Sequence, residues 1–209
     1  MICTQSNEDK EMNAELKNFL TRIYAGPEVL DRLATTGAKT LEEAWARADA
    51  RDLIWAVTRP GVMSPEQRRK FLAEAVLAPI EHLLIDERSK NILQKLRTNE
   101  QIMQEDKDAA DAAASADANS ADAWYATRSA YWAAGAAQDS ALSVWAACAA
   151  EDSVKASSFY EASLEKKDRY AWDALWEAQD KCNRSADAAR EAQAKWIREN
   201  IKLSDLHIN

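Results

Sequence analysis

Apolar residues recur along much of this chain at spacings of three and four, which is the period of an amphipathic helix. Glycine and proline set the expected helix ends, because glycine stops a helix and proline opens one. In the first half, the pattern predicts a helix from Glu8 to Tyr24, a second from Pro27 to Ala34 closed near Gly37, and a polar helix around residues 89–103. The first half therefore reads as a series of short helices.

Local start signals add further elements between these helices. Residues 40–43 (TLEE) and 64–67 (SPEQ) each have the form of a capping box, in which a hydroxyl and a side chain three residues later satisfy free amides. Asp49 or Asp52 is expected to cap a further turn between the two boxes. Pro79 interrupts an apolar run that follows the second box, so the helix there must kink or restart.

The second half of the chain differs in composition. Between positions 109 and 150, 20 of 42 residues are alanine, and the larger apolar residues are mainly aromatic. The apolar stripe is wider than a surface helix needs, so we expect this segment to be packed between other helices, with breaks at residues 119–120 and Gly135. A long helix is predicted over 168–201, followed by a frayed tail over 204–209.

The overall composition predicts an all-α fold. The chain of 209 residues contains 42 alanines but only four glycines and four prolines, whereas β architectures use many glycine and proline turns. We expect a compact multi-helix bundle with a long alanine- and aromatic-rich central helical region. An N-terminal helical region, 1–107, and an alanine-rich helical region, 108–209, are expected to pack together as one domain.

Negative charge is concentrated in the alanine-rich segment. The chain has a formal net charge of −8, and residues 108–152 carry seven acidic residues and a single base, Arg128. Such a surface repels nucleic acid and attracts a basic protein. The candidate partner-binding residues are the seven carboxylates of this segment: Asp108, Asp111, Asp117, Asp122, Asp139, Glu151 and Asp152.

The residues that would support catalysis or a cofactor are not found in recognisable patterns. The only histidines, His82 and His207, have no glutamate three residues before them, so a di-iron bundle is excluded, and the three cysteines show no zinc-ligand spacing. No two glycines lie within ten residues of each other, which excludes phosphate-binding loops. We therefore expect no metal, no cofactor and no enzyme activity.

Arg128 has two interpretations. It interrupts an aromatic stripe, so it is expected to be a buried arginine paired with Asp122 or with a carboxylate from another helix. Alternatively, Arg128, Tyr125 and Trp132 line a pocket for an anionic, planar, nucleotide-like ligand, because guanidinium and aromatic groups suit such molecules. The structural pairing is the favoured interpretation.

The eight tryptophans are expected to fill volume in an alanine core, with Trp172 or Trp196 as candidates for an exposed interface residue. The N-terminal residues contain no apolar stretch of a secretion signal, and no segment is apolar enough to span a membrane. Three scattered cysteines suit a reducing compartment. A cytoplasmic location is therefore expected, and a homodimer is possible because alanine-rich faces self-associate.

Two stretches of the sequence carry a family resemblance. The first is 43–56 (EAWARADARDLIWA), and the second is the alanine and aromatic tract from Ala109 to Cys148. Together these segments resemble a family of helical bacterial and phage proteins labelled putative immunity proteins. The resemblance implies a protein that binds and inhibits another protein.

The leading hypothesis is thus a non-enzymatic inhibitor, immunity-like or a phage-encoded antagonist of host defence, whose acidic helical face blocks a basic partner surface. The alternative is a small-molecule binding or sequestering protein. A DNA mimic fits less well, because a net charge of −8 is modest for a substitute phosphate ladder.

Overall fold

The computed structural model describes residues 12–116, 121–138, 145–164 and 173–206, with side chains at 12–115, 121–138, 145–160 and 183–206. Within these ranges the chain is all-α and contains no strand. The α-helices, numbered in chain order, are α1 (Ala14–Arg22), α2 (Pro27–Thr36), α3 (Leu41–Arg47), α4 (Ala50–Val57), α5 (Pro65–Lys70), α6 (Glu87–Arg97), α7 (Gln104–Ala116), α8 (Ala121–Gln138), α9 (Trp145–Leu164) and α10 (Asp173–Asn200).

The predicted start signals form caps. Thr40 caps α3, and Asp49 rather than Asp52 caps α4 by accepting from the Asp52 amide at 2.8 Å. Ser64 and Gln67 exchange both hydrogen bonds of a capping box at the start of α5. The first box is incomplete, because the Glu43 side chain accepts from the amide of Lys39, one residue before the cap.

The interruption expected at Pro79, a kink or a restart, is confirmed and takes an unpredicted form. From α5 the chain continues into a π-helical segment, Phe71–Leu77, and then into a 3₁₀-helix, Ala78–Leu83. Proline lacks an amide hydrogen and clashes with the carbonyl four residues earlier, so a regular α-helical ladder cannot pass through it. The π segment lies at the centre of the core, where Phe71, Leu72 and Val76 are fully buried.

Several expected helix ends and breaks are wrong, among them the start at Glu8, because α1 begins at Ala14 with Asn13 as its cap. The polar helix α6 ends at Arg97, because Asn99 adopts a left-handed conformation with φ 58°. No break occurs at Gly135, which lies inside the continuous α8, while residues 117–120 lie outside the described ranges. The tail is not frayed at 203–206, since Leu203–Asp205 forms a 3₁₀ turn and Leu206 is buried.

Alanine pairs two long helices at close range. The alanines of α8 and α9 that face each other are almost inaccessible, among them Ala126, Ala130, Ala149 and Ala150. Helix α10 packs on α9 and also reaches α4 and the π segment, so the two halves of the chain share one hydrophobic core. The short helices α1 to α4 form the end of the molecule where a pocket lies.

Candidate ligand pocket and charged surfaces

Helices α1 to α4 enclose a pocket of about 280 Å³. Its walls are mostly aliphatic and aromatic. Helix α2 forms one wall, and Leu33 is its one buried residue. The apolar lining residues are Leu16, Phe19, Leu20, Ile23, Val29, Leu33, Leu41, Ala44, Trp45, Ala48, Leu53, Trp55 and Ala56. A largely apolar pocket with a few polar groups at its edge has the composition of a small-molecule site.

Two polar contacts cross the mouth of this pocket and fasten α2. The Arg32 guanidinium donates to both oxygens of Asp52, at 2.9 and 2.5 Å, and this hydrogen bond raises the pKa of Arg32. The Arg47 Nη1 donates to the carbonyl of Thr36 at 3.2 Å. The indole N–H groups of Trp45 and Trp55 have no hydrogen-bond partner among the described residues.

The pocket was not predicted from the sequence. Most of its α3 and α4 wall comes from the segment 43–56, which carries the family resemblance. The available signal was the pair of tryptophans in that segment, Trp45 and Trp55, each in a helix of eight residues or fewer. Such short helices cannot cover a large ring on their own, so a space between neighbouring helices was a possible outcome.

Arg128 pairs with a carboxylate from another helix, which is one of the two pairings that the favoured interpretation allows. Its Nε and Nη2 donate to the two oxygens of Asp152 on α9 at 2.6 and 2.7 Å. The indole of Trp132 donates to the same carboxylate at 3.0 Å, and the guanidinium lies 4.1 Å from the ring centre of Trp124 and 5.1 Å from that of Tyr125. Asp122 is not the partner.

This network changes the alternative site. Arg128, Tyr125 and Trp132 do lie together, but Arg128 and Trp132 direct their donors at Asp152, and the hydrogen bond that Arg128 donates to that carboxylate raises the pKa of the arginine. An anionic ligand would have to displace a nearly buried carboxylate. The geometry therefore favours a structural link between α8 and α9 at this position.

The seven predicted partner-binding carboxylates do not form one surface. Asp152 is only 2% exposed, so its assignment to an acidic surface is corrected: it is an internal partner of Arg128. Glu151 forms an ion pair with Arg190 of α10 at 3.1 Å. Asp122 is half-buried at the start of α8, and the remaining two described residues, Asp108 and Asp111, are exposed on α7. Asp117 and Asp139 lie outside the described residues.

A smaller acidic face remains on α7. Glu105, Asp108 and Asp111 are exposed at intervals of three, and they have no ion-pair partner in the described part of the chain. Burial, with these two aspartates nearby, raises the pKa of Tyr131. The opposite side of the helix packs inward through Ala110.

Neither residue singled out for an interface is shown as one. Trp196 is half-buried, donates to Glu74 at 3.0 Å and packs against Phe71 with ring centres 5.7 Å apart, whereas Trp172 lies outside the described residues. The described histidine, His82, is exposed and packs edge-on against Tyr160.

Wider comparisons add no further site. The residues that the structure describes hold no cluster of three metal-binding side chains. None of the helices in those ranges is long and apolar enough to cross a membrane. No protein family, curated protein or solved structure matches the chain.

Proposed function

We propose that this chain is a non-catalytic binding protein whose pocket between α1 and α4 takes up a small, largely apolar molecule. The observation that carries the proposal is the pocket itself, about 280 Å³ of space with a mainly aliphatic and aromatic lining. An apolar cavity of about 150 Å³ is already large enough to hold benzene. A ligand the size of two fused aromatic rings therefore fits.

An apolar ligand suits this pocket better than the nucleotide-like ligand expected around Arg128. A phosphate group needs several converging donors, and here the floor is formed by residues such as Leu16, Leu41 and Leu53. The charged groups of the lining include Arg32 and Arg47, whose side chains are about half exposed. Small-molecule binding is the alternative function that the sequence predicts, at Arg128. The proposal keeps that function and puts the site between α1 and α4.

The test compares two alanines on the same helix. Ala44 lines the pocket, whereas Ala46 is exposed on the opposite side of α3. We expect naphthalene-2-methanol to bind the wild-type chain and Ala46→Leu, and to lose at least about tenfold in affinity for Ala44→Leu, because the added side chain occupies the space. Ligand-detected NMR gives the affinities.

A third variant tests whether the pocket is occupied by an external ligand or by the N-terminal residues of the chain itself. Deletion of residues 1–11 leaves the pocket walls intact, so the affinity of the probe should not change. Binding that is absent in the full chain and emerges only after this deletion contradicts the proposal. Equal binding to the Ala44→Leu and Ala46→Leu variants also contradicts it.

A second candidate function is protein binding through the acidic face of α7. It is supported by the exposed carboxylates of Glu105, Asp108 and Asp111 and by the resemblance to putative immunity proteins. In this proposal the chain is a steric inhibitor that covers a basic groove of its partner. Attraction between opposite charges accelerates association at low salt and is screened over about 10 Å at 0.1 M salt.

The second candidate is tested with matched charge removal. The variant E105Q/D108N/D111N neutralises the α7 face, and E42Q/E66Q/E199Q removes three exposed carboxylates elsewhere. We expect a basic protein to be captured from host lysate by the wild type and the control but not by the α7 variant, and to elute as salt rises. Identical capture by both variants rules out the acidic face.

We also propose a reducing, cytoplasmic location, because the cysteines are scattered along the sequence and Cys148 is a free thiol. A homodimer is part of the same proposal. Sedimentation of the purified chain at increasing concentration tests it, and a mass that stays at 23.3 kDa rules it out.

A further inference from the structure

At the mouth of the pocket, most carboxylate oxygens already accept hydrogen bonds from the protein, whereas several N–H donors have no partner among the described residues. Both oxygens of Asp52 already accept from Arg32, and Oδ1 of Asp49 accepts from the Asp52 amide as the cap of α4. Three of the four carboxylate oxygens of the two aspartates therefore already accept a hydrogen bond within the protein.

Arg32 and Arg47 still have N–H groups that donate no hydrogen bond within the described residues. Arg32 uses only Nε and Nη2, so its Nη1 has no partner among the described residues. Arg47 donates through Nη1 to Thr36, while its Nη2 lies 3.9 Å from Glu43, beyond hydrogen-bond distance. Trp45 and Trp55 also line the pocket, and their indole N–H groups have no hydrogen-bond partner among the described residues.

The two arginines both line the pocket. Arg47 contacts the carbonyl of Thr36, which lies four residues, or about one helical turn of 5.4 Å, from Arg32 on α2. Both guanidinium groups are about half exposed, at 50% and 49% of their side-chain surface. Solvent-accessible guanidinium groups with unused N–H donors are suited to planar anions, above all carboxylates.

We infer that the ligand of this pocket is a small apolar carboxylic acid, with its hydrocarbon body between α1 and α4 and its carboxylate at Arg47 and Arg32. The inference rests on the proposed binding function of the pocket and adds the chemical class of the ligand. Apolar contacts supply affinity, and the arginines select the anion over a neutral molecule of the same shape.

The experiment compares two probes of similar shape, naphthalene-2-carboxylate and naphthalene-2-methanol. Affinities are measured by ligand-detected NMR on the full chain at low salt and at 0.5 M salt. We expect the carboxylate to bind at least about tenfold more tightly, which corresponds to one charge-assisted hydrogen bond. Added salt should reduce this preference, since the arginines are partly exposed.

A matched pair of arginine variants locates the selectivity. Arg47→Met removes the guanidinium at the mouth and keeps an apolar stem, whereas Arg51→Met removes an exposed arginine of α4 that does not line the pocket. In each variant the readout is the ratio of the two affinities, which should fall to about onefold in Arg47→Met and stay unchanged in Arg51→Met. Circular dichroism confirms that each variant is folded.

The outcomes separate the two levels of the proposal. If the alcohol binds as tightly as the carboxylate, or if Arg47→Met keeps the preference, the carboxylate inference is overturned while the apolar pocket stands. If neither probe binds the wild-type chain, both the ligand class and the proposed function are overturned.

Discussion

The indole ring of Trp145 packs directly over the α-carbon of Gly135, and a side-chain carbon at position 135 would overlap that ring. Gly135 is buried within α8, and Trp145 is the first residue of α9. Tyr131 and Trp132 surround the same indole, with ring centres 5.9 and 5.1 Å away. Glycine is thus required here for the close approach of a ring, and the backbone does not bend.

Gly135→Ala is expected to destabilise the chain. Overpacking typically costs about 1–3 kcal/mol, of which better helix propensity returns up to about 1 kcal/mol. Urea unfolding gives the free-energy difference. The same substitution in a Trp145→Ala background is the control, and there it should be neutral or stabilising. A loss that is equally large in that background would contradict the overlap.

Sequence reasoning succeeded where the determinant is local. A hydroxyl or carboxylate that caps a helix needs only its own neighbours, and this is why the sequence predicts Ser64 as a cap and offers Asp49 as one of two candidates for α4. The same holds for the left-handed Gly37 that ends α2. The all-α class also follows from local preference, because it sums helix propensity over the whole chain.

Contacts between helices could not be predicted in the same way, because they depend on how separate helices pack. The sequence indicates that Arg128 pairs with Asp122 or with a carboxylate from another helix, but only the register of α8 against α9 selects Asp152. That register also buries Asp152, so the acidic residues of this segment do not form the single surface expected from composition. The pocket depends on how the four short helices α1 to α4 pack against one another. The spacing of apolar residues within one helix does not predict that packing.

Removal of the Asp152 carboxylate should be costly. Asp152→Ala leaves the partly buried guanidinium of Arg128 and the indole of Trp132 without their acceptor, and we expect a loss of about 3 kcal/mol in urea unfolding. Glu87→Ala breaks the exposed ion pair with Lys90 and is the control, with an expected loss below about 1 kcal/mol. Losses of equal size would show that the α8–α9 link is no stronger than a surface pair.

Acid should weaken the start of α6. Hydrogen bonds from the Arg88 side chain and amide lower the pKa of Asp86, which caps this helix. The stabilisation is present above the ordinary aspartate pKa of about 4 and is lost as the pH falls through the lower pKa of the folded chain.

Asp86→Asn isolates this charge, because asparagine also caps helices. At pH 7 the variant should be less stable by up to about 1 kcal/mol, and the two proteins should converge near pH 2 if both still unfold cooperatively there. Chemical unfolding at a series of pH values measures the difference. In an Arg88→Met background the difference should shrink, and a constant difference across the series would refute the assignment.

The most direct test of the pocket is a crystal structure of the full chain grown with 6-bromonaphthalene-2-carboxylate, with the bromine located by its anomalous scattering. The account predicts a bromine peak between α2 and the leucines of α1 and α4, with the carboxylate at Arg47. A pocket closed by the protein's own side chains, or a bromine bound only elsewhere, would contradict it.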